Sequence, residues 1–185
     1  DEREQARKML HHHKNISGAK LYWIDGNHED RLQKIIWRNA QGFADMVDDL
    51  PKALELDKWC EAYVPYGKHV EFLGFIITHG TIARMHSGYT AKAMLDRYHS
   101  SGCSGHTHRM GSHSSTDHRG VSHTWYEIGY GARKDLEYTK APADWQQGFL
   151  IGTVRGGALH PQLVRVIETK RGRGFVADGE YYKVG

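Results

Sequence analysis

Cysteine is scarce in this sequence. Two residues in 185, Cys60 and Cys103, cannot build a disulfide framework, and a reducing cytoplasm is the expected compartment. Long apolar runs are missing as well. None approaches the roughly 18 residues that a membrane span requires, and the start carries no signal-peptide pattern, so no membrane partner is expected. Charge of one sign is not in excess either. Lys and Arg number 25 against 22 Asp and Glu, leaving a net +3 and a pI near 8.8. That balance permits an anionic substrate without demanding nucleic acid. Internal repeats and low-complexity segments are absent from the sequence. What remains is a chain of one-domain length whose 39% hydrophobic residues can build a core, with 14 histidines that are mostly neutral at pH 7 and so open to metal ions.

The organising stretch is Asp25-Gly26-Asn27-His28-Glu29-Asp30. It follows the apolar run Leu21-Tyr22-Trp23-Ile24 and precedes a helical pattern. A strand-to-helix turn of this kind can hold polar side chains at the rim of a sheet. Two later stretches match it in kind. Thr78-His79-Gly80 follows the run Phe72–Ile77, and Gly105-His106-Thr107-His108 follows a small-residue run. Three strand ends thus supply one amide, Asn27, and four imidazoles, those of His28, His79, His106 and His108. Neutral nitrogen and oxygen donors brought from distant parts of one sheet are the raw material of a metal site.

Residues 1–14 read as a helix with Ala6, Met9, Leu10 and His13 on one face, a capping signal at Asp1 and Glu4, and an end at Asn15 and Gly18. Adjacent helical residues point in different directions, so His11-His12-His13 is not a ligand cluster. Residues 19–25 form a buried, parallel-type strand. A helix follows from about Glu29 to Ala40, with Leu32, Ile35, Ile36 and Ala40 turned inward. Phe43, Met46, Val47 and Leu50 predict a short helix stopped by Pro51, and Leu54, Leu56 and Trp59 a less regular stretch. Ala62–Tyr66 and Val70–Thr78 read as a hairpin turning near Gly67-Lys68. A loop over 80–88 and a helix facing inward through Ala91, Met94, Leu95 and Tyr98 lead to a strand over 101–105. Met110–Ser115, Val121–Ile128, Gly148–Arg155 and Leu159–Glu168 are predicted strands, with a polar loop over 129–146. The tail Arg171-Gly172-Arg173-Gly174 reads as mobile, or as a weak anion-binding patch.

In this order, GNHE, HG and GHTH resemble the last three motifs of the calcineurin-like (binuclear) metallophosphoesterases. The resemblance runs from about Lys20 to His108. It implies an α/β fold, a two-sheet sandwich flanked by helices with the active site at strand ends. It also implies that Asn27, His79 and His106 bind one divalent metal and His108 another, Mn²⁺ first, with Fe, Zn or Ni as other choices. His28 would lie beside the phosphate as electrostatic stabiliser or general acid. Glu29 or Asp30 would orient it, as a carboxylate fixes an imidazole; helix-dipole acids are the ordinary reading of both. Arg84, His86 and Arg109 are further candidates for substrate contact, a guanidinium being able to grip phosphate oxygens in pairs.

The family's early DxH and GDxxD motifs do not occur in the 26 residues before Asn27. We therefore expect residues 1–185 to be a single metallophosphoesterase domain truncated at its N-terminus, a partial sandwich without its first strands. Its partner would be the missing N-terminal region of the same polypeptide. Alone it should hold one weak metal site at most, because no carboxylate here has a clear claim to the bridging position. Asp25 would need strand alternation to aim it there. An uncovered apolar edge would favour association. The implied activity is phosphoester hydrolysis by a metal-activated water. DNA or RNA cleavage is favoured by the mild basicity and the Arg/His-rich loops, and a small-molecule or protein phosphatase is the competing substrate class. The compact motif form looks like metallophosphoesterases of bacteriophages and bacteria. A non-catalytic binding or scaffold module of the same fold is the alternative from outside enzymology.

Overall fold

The computed structural model describes residues 2–39, 41–42, 49–132, 143–170 and 172–184, the side chains of Glu2, Leu32 and Gln33 excepted. The fold is mixed α/β, with several short sheets and few helices. The chain divides into two compact units, residues 1–69 and 70–185. Among the described residues no helix is long and apolar enough to cross a membrane.

The first unit opens on helix α1 (Glu2–Ser17), which runs past Asn15 and ends at Gly18 as expected, the Gly18 amide bonding to the Lys14 carbonyl. Its inward face is narrower than the periodicity suggests. Leu10 is buried and Ala6 half-buried, whereas Met9 and His11–His13 are exposed. The capping role expected of Asp1 lies outside the described residues. Strand β1 (Tyr22–Ile24) pairs in parallel with β2 (Ala62–Val64), register Trp23 to Tyr63. The expected hairpin partner of Ala62–Tyr66 is therefore wrong. A three-residue strand carries too little pattern to say whether its mate is near or distant.

Helix α2 (Asn27–Asn39) begins two residues earlier than expected. Its Ile35 is 49% exposed, so the expected inward stripe fails there; Leu32 and Ala40 lie outside what is described. Most of the short helix expected from Phe43 to Leu50 also falls on residues not described. Pro51 starts rather than stops a helix. It stands in the first turn of α3 (Leu50–Ala53), where a missing N–H costs no helical bond, and Asp49 caps that turn by accepting from Lys52 N at 3.1 Å. Leu54 and Leu56, the latter opening α4 (Leu56–Trp59), join Leu10 as the buried core, with Trp23, Trp59 and Tyr63 packed on them. Burying Leu56 alone, 2% exposed, is worth about 1.5–3 kcal/mol.

The second unit is built on a five-stranded sheet of order β3-β4-β5-β7-β6, formed by His69–Phe72, Phe75–Thr78, Gly102–Ser104, Ser122–Ile128 and Met110–Thr116 respectively. Strands β4, β5 and β7 run parallel, and β6 is antiparallel to β7. The turn before β4 is Leu73-Gly74, both at positive φ (51° and 74°), the conformation of a tight hairpin turn. Helix α5 (Tyr89–Tyr98) connects β4 to β5. Its Ala91, Met94 and Leu95 pack on Ile76 and on Trp125, which is fully buried and stacked on Tyr98.

Beyond the sheet, β8 (Gly148–Arg155) and β9 (Ala158–Arg165) form a hairpin. The strand expected over 159–168 is in fact two, because Ile167–Thr169 (β10) leaves the hairpin for a three-stranded meander with β11 (Gly172–Ala177) and β12 (Glu180–Lys183). The glycine-rich tail is thus β-structure from Gly172 onward. A Cβ on Gly174 would meet the Tyr181 ring within 2.4 Å, so the small residue seats a cross-strand aromatic.

Candidate functional site

In the first unit, Asn27 and His28 occupy the first turn of α2, directly after Asp25 and Gly26. Glu29 turns back on that turn, its Oε2 accepting from the Gly26 amide at 2.9 Å, which is one half of a capping box. Asp30 holds Lys34 at 2.7 Å, one helical turn on. Both acids are thus engaged in the helix itself. Asp25 is 6% exposed and points into the unit, where Oδ1 accepts from Trp23 Nε1 at 2.8 Å and Oδ2 from the Tyr63 hydroxyl. Desolvation raises its carboxyl above the ordinary value, and the bonds from Tyr63 and Trp23 oppose that rise. Burial also pushes the Tyr63 phenol up, with the hydrogen bond to Asp25 adding to the effect.

In the second unit, β4 and β5 are parallel neighbours that end in register, Thr78 beside Ser104. The next turns therefore emerge side by side. The His79 carbonyl accepts from the amides of Gly105 (3.1 Å) and His106 (3.0 Å), which fixes the two turns to each other through the backbone. Their rings meet, with His79 Nε2 and His106 Nδ1 3.2 Å apart. Gly80 makes the approach feasible. It sits at φ +94°, and a Cβ there would meet Ser104 Cβ at 3.0 Å and His106 Cβ at 3.4 Å.

His108 leaves the same turn in the left-handed region, at φ 59°. Its ring lies edge-on to Trp145, centroids 4.5 Å apart, and 5.8 Å from Tyr130. Arg109 is drawn into local contacts, its Nε donating to Asp144 at 3.2 Å and Nη1 to the Arg84 carbonyl at 2.7 Å. Arg84 and His86 lie exposed on the 81–88 loop, with the His86 ring edge-on to Tyr89 at 5.3 Å.

The structure therefore brings His79 and His106 together and sets His108 on the same turn as His106. Asn27 and His28 belong to the other unit. The two facing imidazoles fit two positions of a mixed nitrogen and oxygen donor set, once the proton between them is displaced. They do not close it. Among the described residues, no group of three or more His, Cys, Asp or Glu side chains is gathered as an ion would need. The residues present fit a metal only in part.

Sequence reasoning missed Glu127. It lies in β7, is fully buried, and accepts three hydrogen bonds, from the amides of Gly88 (2.9 Å) and Ala91 (3.0 Å) and the Thr107 hydroxyl (2.8 Å). A carboxylate in a strand ordinarily reads as solvent-facing. The available signal was alternation, because Glu127 shares a face with Trp125, the largest buried side chain of the strand.

Comparison with known proteins adds two relatives. The chain is 28% identical over 182 residues to the Gene 54 protein of Mycobacterium phage D29, a match covering 86% of this chain and 65% of that protein. It is 28% identical over 199 residues to the Gene 54 protein of Mycobacterium phage L5, covering all of this chain and 74% of that one. The chain thus spans just under two thirds of the D29 relative. No family model matches the sequence. No solved structure matches it.

Proposed function

We propose that this chain carries part of a binuclear metallophosphoesterase site and that the protein to which the site belongs hydrolyses phosphoester bonds. The observation that carries this reading is the His79–His106 pair, two imidazoles from adjacent parallel strand ends with nitrogens 3.2 Å apart and backbones tied through one carbonyl. The parallel centre of the second unit supports assignment to the family's two-sheet sandwich. A divalent ion, Mn²⁺ first and Fe, Zn or Ni otherwise, would supply Lewis acidity and an activated water. His79 and His106 would hold it, with His108 serving a second ion. A nucleic acid is the proposed phosphoester, favoured by the mild net positive charge. The similarity to phage proteins is compatible with a phage nuclease.

The test is Mn²⁺ calorimetry, with hydrolysis of bis-p-nitrophenyl phosphate and of labelled single- and double-stranded DNA. It is run on residues 1–185. His79→Ala and His106→Ala should each lower Mn²⁺ affinity at least about tenfold, and the double variant should lose little more, because the two act on one ion. Metal uptake without cleavage would favour the non-catalytic module. Affinity unchanged in both single variants would overturn the assignment.

A further inference from the structure

A carboxylate withdrawn from water needs partners for both oxygens. Glu127 divides its partners between two structures. Its Oε1 takes the amides of Gly88, the N-cap, and Ala91, in the first turn of α5, neither of which has an acceptor within the helix. Gly88, the N-cap position, has no side chain to serve them. Glu127 therefore caps α5 from a neighbouring strand, with its charge at the positive end of the helix dipole. A cap of this kind uses one oxygen. The other, Oε2, accepts from the hydroxyl of Thr107, the residue between His106 and His108. The Thr107 oxygen in turn accepts from the Arg109 amide at 3.4 Å, across the turn that presents His108 in its left-handed conformation.

We infer that Glu127 is a positioning residue, which locks the His106-Thr107-His108 turn to the start of α5 through Thr107 and so sets how the two imidazoles are presented. Its three hydrogen bonds go to Gly88, Ala91 and Thr107. The inference rests on the metallophosphoesterase reading only for what the rings are presented to; the mechanical link stands on the hydrogen bonds alone. A purely structural cap would not involve Thr107, so the variants are chosen to part the two roles. Thr107→Val keeps the shape of the side chain and removes the hydroxyl, leaving both amide bonds to Glu127 in place. Thr107→Ser restores the hydroxyl. Glu127→Gln can keep all three contacts, its carbonyl taking both amides and its NH₂ donating to the Thr107 oxygen.

The readouts are amide hydrogen exchange, the ring nitrogen signals of His106 and His108 by NMR, and Mn²⁺ affinity, all on the full chain. In Thr107→Val, amide exchange at Gly105, His106 and His108 should accelerate at least about tenfold, the ring signals should shift or broaden, and the amides of Lys92–Leu95 should change far less. Mn²⁺ affinity should fall by about 10–100-fold, the usual effect of loosening what supports a ligand. Thr107→Ser and Glu127→Gln should stay near wild type in all three. Turn exchange and ring signals unchanged in Thr107→Val would overturn the inference and leave Glu127 as a helix cap. A wild-type chain that binds no Mn²⁺, but whose turn loosens in Thr107→Val, would count against the metal reading and uphold the positioning role.

Discussion

Replacing Asp25 with alanine should open the first unit locally. The change removes the acceptor of two donors, Trp23 Nε1 and the Tyr63 hydroxyl, both attached to half-buried rings that pack on the core of that unit. An orphaned buried donor costs about 1–3 kcal/mol, and partial access to water places the pair near about 2–4 kcal/mol together. At 1.4 kcal/mol per factor of ten, amides of the β1–β2 ladder should exchange about 30- to 700-fold faster. Asp25→Asn should behave differently. Its carbonyl still accepts from Trp23, and its NH₂ can donate to the Tyr63 oxygen, so at neutral pH its stability should lie within about 1 kcal/mol of wild type. The sign of the pH effect follows from burial. The folded-state pKa lies above the ordinary 3.8, so the native protein binds this proton more tightly than the unfolded chain. Stability from Asp25 is complete below pH 3.8 and declines as pH rises through the raised folded value. Asp25→Asn should lose that decline. The assay is exchange by mass spectrometry across pH 4–7 on the three proteins. An alanine variant as protected as wild type, or an asparagine variant as open as the alanine one, would refute the reasoning.

Gly80→Ala should disturb the site more than its size suggests, because it forces a side chain to φ +94° and to 3.0 Å from Ser104 Cβ. The expected cost is at least about 1 kcal/mol, with weakened Mn²⁺ binding, measured by thermal melting and calorimetry; a variant as stable as wild type would show that the turn has room. Burial pushes the Cys103 thiol up to about 12, while Cys60 is raised less strongly, again by desolvation, and is only half-buried. Iodoacetamide at pH 8 should therefore label Cys60 alone in the native protein and both thiols in urea, as peptide mass spectrometry would show. Native labelling at Cys103 would contradict its burial.

The strands that end at His79 and His106, and the helix between them, were the most legible part of the chain, though their parallel direction was not read. Phe75-Ile76-Ile77 is apolar on both faces, as a covered strand must be, and Ala91, Met94 and Leu95 recur at helical spacing. Once those elements are placed, parallel strands ending in register bring His79 and His106 together. The turn near Gly67-Lys68 is there, the Lys68 amide bonding to the Pro65 carbonyl, but it closes no hairpin, because β2 pairs with β1 and the hairpin closes later. The observed turn uses Leu73 at φ 51°, a conformation that no composition rule expects of a leucine. Pro51 was misread because proline ends a helix from its interior and begins one from its first turn, and spacing alone does not separate the two. In the tail, glycine suggested mobility where Gly174 makes space for Tyr181. Glu127 escaped because its partners, Gly88, Ala91 and Thr107, come together only through the fold.

The mixture of strand directions in the five-stranded sheet bears on the order in which it assembles. The β6–β7 and β3–β4 pairs close through turns of a few residues, whereas β4 meets β5 only after residues 79–101 have been gathered, and β5 meets β7 only after 105–121. Short loops close at lower entropic cost, so the antiparallel rims should form ahead of the parallel centre. His79 and His106 stand at the ends of that centre. Substitutions in the β6–β7 hairpin should then slow folding, whereas Ile76→Val and Cys103→Ala, at the parallel contact, should mainly speed unfolding, as stopped-flow kinetics would reveal. The two imidazoles would thus be the last part of the sheet to meet.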